Sequence, residues 1–148
     1  MADLNSAVKK IFSTYLKVAA SDSVLIIIDQ NYRDLGNKIS TEAKLYSRNV
    51  RLLEMEQRKT DGQNPPPEIE SEMLKYDVIV CLTTRSMTHT KATREAAKHG
   101  ARIASIPGLK EETLARTIDV DVPKMQLLGE KITALLRKTK EIRIKTKL

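Results

Sequence analysis

Val24-Leu25-Ile26-Ile27-Ile28-Asp29 is a run of five aliphatic residues, four of them β-branched, closed by a single acid. A strand built from it offers no polar face to water, so it must be covered on both sides. Such a strand belongs in the centre of a parallel sheet, with helices above and below.

The flanking sequence supplies the helices. Ahead of the run, Val8, Ile11, Phe12, Tyr15, Leu16 and Ala19 fall on one helical face, with Asp3 or Asn5 available as N-cap, and Ser21-Asp22-Ser23 breaks the pattern. After it, Leu35, Ile39, Ala43 and Tyr46 repeat the helical period over residues 32–47, weakened by Gly36 and by Ser40-Thr41. A second strand follows at 50–55. Residues 60–67 carry Pro65, Pro66 and Pro67, which lack amide donors. They form a loop, the place where a protease would cut first.

Beyond the loop the alternation continues. Residues 68–76 read as a short helix with Pro67 near its start and acids in its first turn, where the helix dipole favours them. Residues 77–83 read as a strand, 90–99 as an Ala-rich helix ended by Gly100, and 101–106 as another strand. Pro107-Gly108 turns the chain into a helix over 110–118. In a last helix, Met125, Leu128, Ile132, Leu135 and Leu136 share one face, and residues 141–147 alternate polar and apolar in the manner of a half-exposed edge strand.

Strands alternating with helices define an α/β fold. The expectation is a three-layer, mostly parallel, doubly wound sheet, Rossmann-like but without a dinucleotide fingerprint. Residues 24–28, 78–82 and 103–105 should lie mutually parallel in one sheet with helices on both faces. A chain of 148 residues suits one hydrophobic core, so residues 1–148 read as a single domain. Strand order stays open.

Composition narrows the function. The net charge of +7 is concentrated at the end, where Lys131, Arg137, Lys138, Lys140, Arg143, Lys145 and Lys147 face only Glu130 and Glu141. Readers of single-stranded nucleic acid pair basic grooves with stacking aromatics, and this chain has only Phe12 and four tyrosines. No specific nucleic-acid partner is expected. The single cysteine, Cys81, lies inside an apolar strand and excludes an internal disulfide or a multi-cysteine zinc site. No signal-peptide pattern and no membrane-length apolar run is present, so the expected setting is cytoplasmic, with no membrane partner.

In doubly wound sheets ligands bind beyond the carboxyl ends of the strands. Four loops qualify, starting at Asp29-Gln30-Asn31-Tyr32, Glu54-Met55-Glu56, Thr83-Thr84-Arg85-Ser86 and Ser105-Ile106-Pro107-Gly108. None carries a glycine-rich phosphate cradle. The most polar is Thr83-Thr84-Arg85-Ser86-Met87-Thr88-His89-Thr90, where a helix start, hydroxyls and Arg85 can hold an anion, or where Thr88 or Thr90 simply caps the helix. Capping is the favoured reading. Thr84, Arg85, Ser86 and His89 are the substrate-facing candidates. His89 and His99 stand at opposite ends of one helix and share no metal, and no nucleophile with its base is evident. No catalytic or metal-ligating residue is therefore assigned.

Residues 66–145 resemble the amino-terminal domain of the aminopeptidase T family, also called the AmpS or thermophilic leucyl aminopeptidase family. The matching residues are Pro66-Pro67, Tyr76-Asp77-Val78-Ile79-Val80, Ser86-Met87-Thr88-His89-Thr90-Lys91-Ala92 and Arg94. They continue with Gly100-Ala101-Arg102-Ile103-Ala104-Ser105-Ile106-Pro107-Gly108, Glu111-Glu112, Asp119-Val120-Asp121 and Glu141-Ile142-Arg143-Ile144-Lys145-Thr146. The resemblance implies a non-catalytic amino-terminal domain of a cytoplasmic metalloprotease, a hydrolase acting on the amino ends of peptides. It further implies two divalent metal ions of the zinc, cobalt or manganese class in a carboxyl-terminal catalytic domain absent here. Peptide is then the substrate of the whole enzyme, and a homodimer is allowed. The alternative is a stand-alone binding or scaffolding module of the same fold without chemistry.

Overall fold

The fold is given by a computed structural model that describes residues 4–118 and 120–146. Four strands, β1 (Ser23–Asp29), β2 (Asn49–Met55), β3 (Val78–Leu82) and β4 (Arg102–Ser105), form one sheet in the order β2-β1-β3-β4. Every pairing is parallel, as expected, with Ile26 beside Leu52 on one side and Val80 on the other. The aliphatic run 24–28 is a central strand, buried along its whole length.

Among the described residues the α-helices are α1 (Leu4–Lys10), α2 (Arg33–Ala43), α3 (Pro67–Met73), α4 (Lys91–Lys98), α5 (Glu111–Ile118) and α6 (Val122–Leu136). Successive strand side chains point to opposite faces, and two cores result. Val24, Ile26, Ile28, Val78, Val80 and Leu82 pack with α1, α2 and α5 through Val8, Leu35, Ile39 and Leu114. Leu25, Ile27, Ile79 and Cys81 pack with α3 and α4 through Ile69, Met73, Ala92 and Ala96. The three-layer arrangement stands.

Gly36 is the point of closest approach between α2 and the sheet. A Cβ there would lie 2.7 Å from the Ile28 Cγ2 atom. The residue that weakens the helical pattern in sequence is the one that lets α2 sit down on β1.

Two expectations need correction. The first helix does not run to Ala19: α1 passes into a π-type turn, Ile11–Tyr15, and ends where Lys17 takes a left-handed φ of 47°. The Val18 amide then closes on the Phe12 carbonyl at 2.8 Å, and Arg102 Nη1 donates to the Leu16 and Lys17 carbonyls at 2.8 Å each. The second concerns the tail. Residues 141–146 form no strand, and Ile142 and Ile144 are exposed, because alternation specifies a face and does not supply a neighbouring strand. The proposed cap Asp3, and Lys147 of the expected strand, lie outside the described residues.

Candidate functional site

The winding reverses between β1 and β3. From β1 the chain moves outward to β2, then crosses back to β3 on the other side of β1. The connections beyond the carboxyl ends of β1 and β3 therefore diverge and leave a gap, which is where ligands bind in open α/β sheets. A crevice of about 550 Å³ occupies it, lined by Asn31, Tyr32, Asp34, Leu35, Thr84 and the segment 108–111. That volume falls within the range of small-molecule sites, about 300–1,000 Å³.

Asp29 organises the floor. It ends the buried strand and is itself 1% exposed. Its carboxylate accepts from the Asn31 amide at 3.0 Å, from the Thr84 amide at 2.6 Å and from the Thr84 hydroxyl at 3.1 Å. One side chain thus ties the β1 loop to the β3 loop, satisfying the donors that compensate a buried acid. Asn31 extends the network, its Nδ2 donating to Gln57 Oε1 at 2.8 Å and to Thr84 Oγ1 at 2.9 Å. Gln30 Oε1 in turn accepts from the Gln57 amide at 3.1 Å. Partial burial, and then the Asp29 charge, push the Tyr32 phenol above its ordinary pKa, so its proton stays in place at neutral pH.

The third wall comes from the β4–α5 connection. Gly108 adopts φ 62° and its amide donates to the Thr83 carbonyl at 3.0 Å, which holds this turn against the β3 loop. The positive φ suits glycine. Lys110 and Glu111 follow, with Glu111 paired to Lys38 at 2.8 Å. The crevice carries both signs of charge beside the apolar Leu35 and Leu109.

Of the four sequence candidates, Thr84 lines the crevice. Arg85 is exposed and does not line it. Ser86 turns the other way: its amide donates to Asp61 Oδ1 at 2.8 Å and its hydroxyl to Thr88 at 3.0 Å. His89 is exposed before α4, its carbonyl accepting from Arg94 at 2.6 Å. The capping reading of this loop holds. Thr90 Oγ1 accepts from the Thr93 amide at 3.1 Å, and Asn64 Oδ1 accepts from the Lys91 amide at 2.8 Å, so two α4 amides that an anion would use are occupied. Asp34, Leu35, Leu109, Lys110 and Glu111 escaped sequence reasoning. The one visible signal was Asp29, a lone acid closing an otherwise apolar strand.

His99 Nδ1 lies 2.9 Å from the Glu95 carbonyl, a helix apart from His89. Among the described residues no three His, Cys, Asp or Glu side chains come together to hold a metal ion. Burial pushes the Cys81 thiol up to about 12, far from the reactive thiolate range.

No family model matches the chain, and no curated protein matches it. Among solved structures, pyridoxamine-pyruvate aminotransferase from Mesorhizobium loti is similar, with 19% identity and a TM-score of 0.42. The match covers 68% of this chain and 24% of the aminotransferase, so the chain spans about a quarter of that enzyme's length. A likeness this slight lends nothing to an argument about activity. The expected membership of the aminopeptidase T family is corrected by these findings, since no family model and no curated protein, aminopeptidase or other, matches the chain. With it go the leucyl aminopeptidase, metalloprotease and hydrolase readings.

The structure explains why the resemblance misled. Several of its residues have structural roles in this fold. Asp77 accepts from the Ser23 amide and hydroxyl at 2.7 Å each, Met87 fills the core, Thr90 caps α4, and Arg102 holds the end of the first helix and pairs with Asp22. Gly100 and Gly108 take positive φ at turns. Such residues report a winding, not a reaction.

Proposed function

We propose that this chain is a ligand-binding α/β domain that takes a small polar molecule in the crevice beyond β1 and β3. The observation that carries this reading is the crevice itself, placed at the reversal of the winding and floored by the Asp29 network. Tyr32 and Lys110 offer hydrogen-bonding groups over the closed Asn31–Thr84 network, while Leu35 and Leu109 give an apolar wall. Of the sequence candidates, Thr84 is then the one that meets the ligand.

On the same reading the protein works in the cytoplasm, in keeping with a single buried thiol. Among the described residues no helix is long and apolar enough to cross a membrane. Nucleic acid is not a specific partner, for lack of stacking aromatics near the basic end.

The test is an amide NMR titration of the labelled chain with a panel of small hydroxy, amino and carboxylate compounds. Shifts should cluster at Asn31, Tyr32, Thr84, Gly108 and Lys110. Shifts centred anywhere else on the sheet, or none across the panel, would overturn the proposal.

A further inference from the structure

α2 and α5 bring charges of both signs to the crevice, and one pair between them is already made. Lys38 Nζ donates to both carboxylate oxygens of Glu111, at 2.8 and 2.9 Å. Asp34, one turn before Lys38 on α2, and Lys110, the residue before Glu111, repeat that pair with the signs exchanged. Both line the crevice, yet they are not joined to each other. Neither side chain has an ion-pair or hydrogen-bond partner among the described residues.

The neighbouring polar groups are largely engaged. Asn31 Nδ2 donates to Gln57 and Thr84, and the Thr84 hydroxyl donates to Asp29, whose carboxylate is thereby covered. Glu111 is neutralised by Lys38. The charges left open to a ligand are one carboxylate and one ammonium, beside the apolar surface of Leu35 and Leu109.

That pattern discriminates by sign. An anion alone gains Lys110 but meets Asp34 and, in the floor, the buried Asp29. A cation alone gains Asp34 but meets Lys110. At similar distances the attraction and the repulsion are of similar size and offset each other. A molecule that carries both signs turns both contacts into attractions.

We propose that the ligand of this crevice is a small zwitterion, its ammonium held by Asp34 and its carboxylate by Lys110, with a short aliphatic part against Leu35 and Leu109. The proposal rests on the reading of the crevice as a ligand site and adds the class of molecule. Tyr32, which keeps its phenolic proton at neutral pH, adds a neutral donor to the lining. Asp34 and Lys110 are exposed, so water competes with each contact. Each is accordingly worth about fivefold in affinity, and a molecule this small binds with a Kd on the order of 1 mM.

Amide NMR titration of the full chain separates the two contacts. The probes are the isomeric zwitterions L-valine and δ-aminovalerate, which differ in the spacing of their charges, and the halves that each lack one charge: isobutylamine and isovalerate, butylamine and valerate. At least one zwitterion should shift the amides of Tyr32, Gly108 and Lys110 and bind about fivefold more tightly than either of its halves. Lys110→Met should remove its advantage over the amine, and Asp34→Asn its advantage over the carboxylate, while each variant leaves the other comparison in place. Circular dichroism should show both variants folded, since neither side chain is buried or paired. A half that binds in the crevice as tightly as its zwitterion, or a variant that keeps the full preference, would overturn the zwitterion and leave the crevice standing as a ligand site. Crevice amides that respond to none of these probes but to another compound of the wider panel would do the same. Silence across the whole panel would overturn both readings.

Discussion

The sheet with its five packed helices and the segment from Val122 onward carry the same kind of sequence signal and meet opposite fates. Ile39 of α2 and Ile132 of α6 both sit on apolar stripes, yet Ile39 is fully buried and Ile132 is 46% exposed. The stripe of α2 finds β1 because Gly36 removes the side chain that would hold the two apart. The stripe of α6 has no such seat among the described residues. Periodicity therefore states which face wants cover and is silent on what provides it.

The comparison breaks most sharply at single apolar side chains. Ile79→Ala, in a strand buried throughout, should cost about 2–5 kcal/mol, whereas Leu135→Ala should change stability by no more than about 0.5 kcal/mol in dilute solution. Urea denaturation of both variants checks this. Similar losses at both positions would mean that α6 is part of the folded core.

The two helix glycines sharpen it further. Gly36→Ala gains helix propensity but drives a methyl into a β-branched, buried neighbour, and a net destabilisation of about 1–2 kcal/mol is expected. Gly129→Ala meets nothing and should favour the α6 helix by about 0.5–1 kcal/mol, raising helicity by circular dichroism while the denaturation midpoint of the sheet stays in place. Within the body, Thr90→Ala removes the acceptor for the Thr93 amide and should cost about 1 kcal/mol. The matching change at Asp121, which caps α6 through the Lys124 amide, should affect helicity and leave the denaturation midpoint of the sheet in place.

The smallest effect is one of pH. Bonds from the Ser23 amide and hydroxyl, aided by the Arg102 charge, hold the Asp77 carboxyl below its ordinary pKa. A group with a depressed folded pKa stabilises above its unfolded value, about 3.9, and loses that contribution as pH falls through the folded value. Stability should therefore decline on acidification below about pH 4, and Asp77→Asn should flatten part of that decline in pH-dependent urea midpoints.

Much of the fold was legible because its signals are local and redundant. Val24 to Ile28 reads as a central strand from composition alone, and the Gly100 and Gly108 turns announce themselves. The end of the first helix was not legible, since Arg102 reaches it from 85 residues away. The tail failed for the same reason: Ile142 and Ile144 alternate correctly with charged residues, but no strand waits beside them. The crevice was half legible. Its loops followed from the winding, and Thr84 with them, while Lys110 and Glu111 enter only through the Gly108 turn that presses the β4–α5 connection against Thr83. Asp77, Thr90 and Arg102, which look like parts of a family signature, have structural roles in the fold.

The proline-bounded loop has a kinetic consequence. Asp61 holds the Ser86 amide, the Gly62 amide holds the Ser86 carbonyl, and Asn64 holds the Lys91 amide. These amides lie outside the ladders of the sheet, yet none can exchange its proton with water until residues 61–64 lift away from the β3–α4 connection. They are thus bound to a shared opening event, in which residues 61–64 release Ser86 and Lys91 together while Asp29 keeps its hold on Thr84.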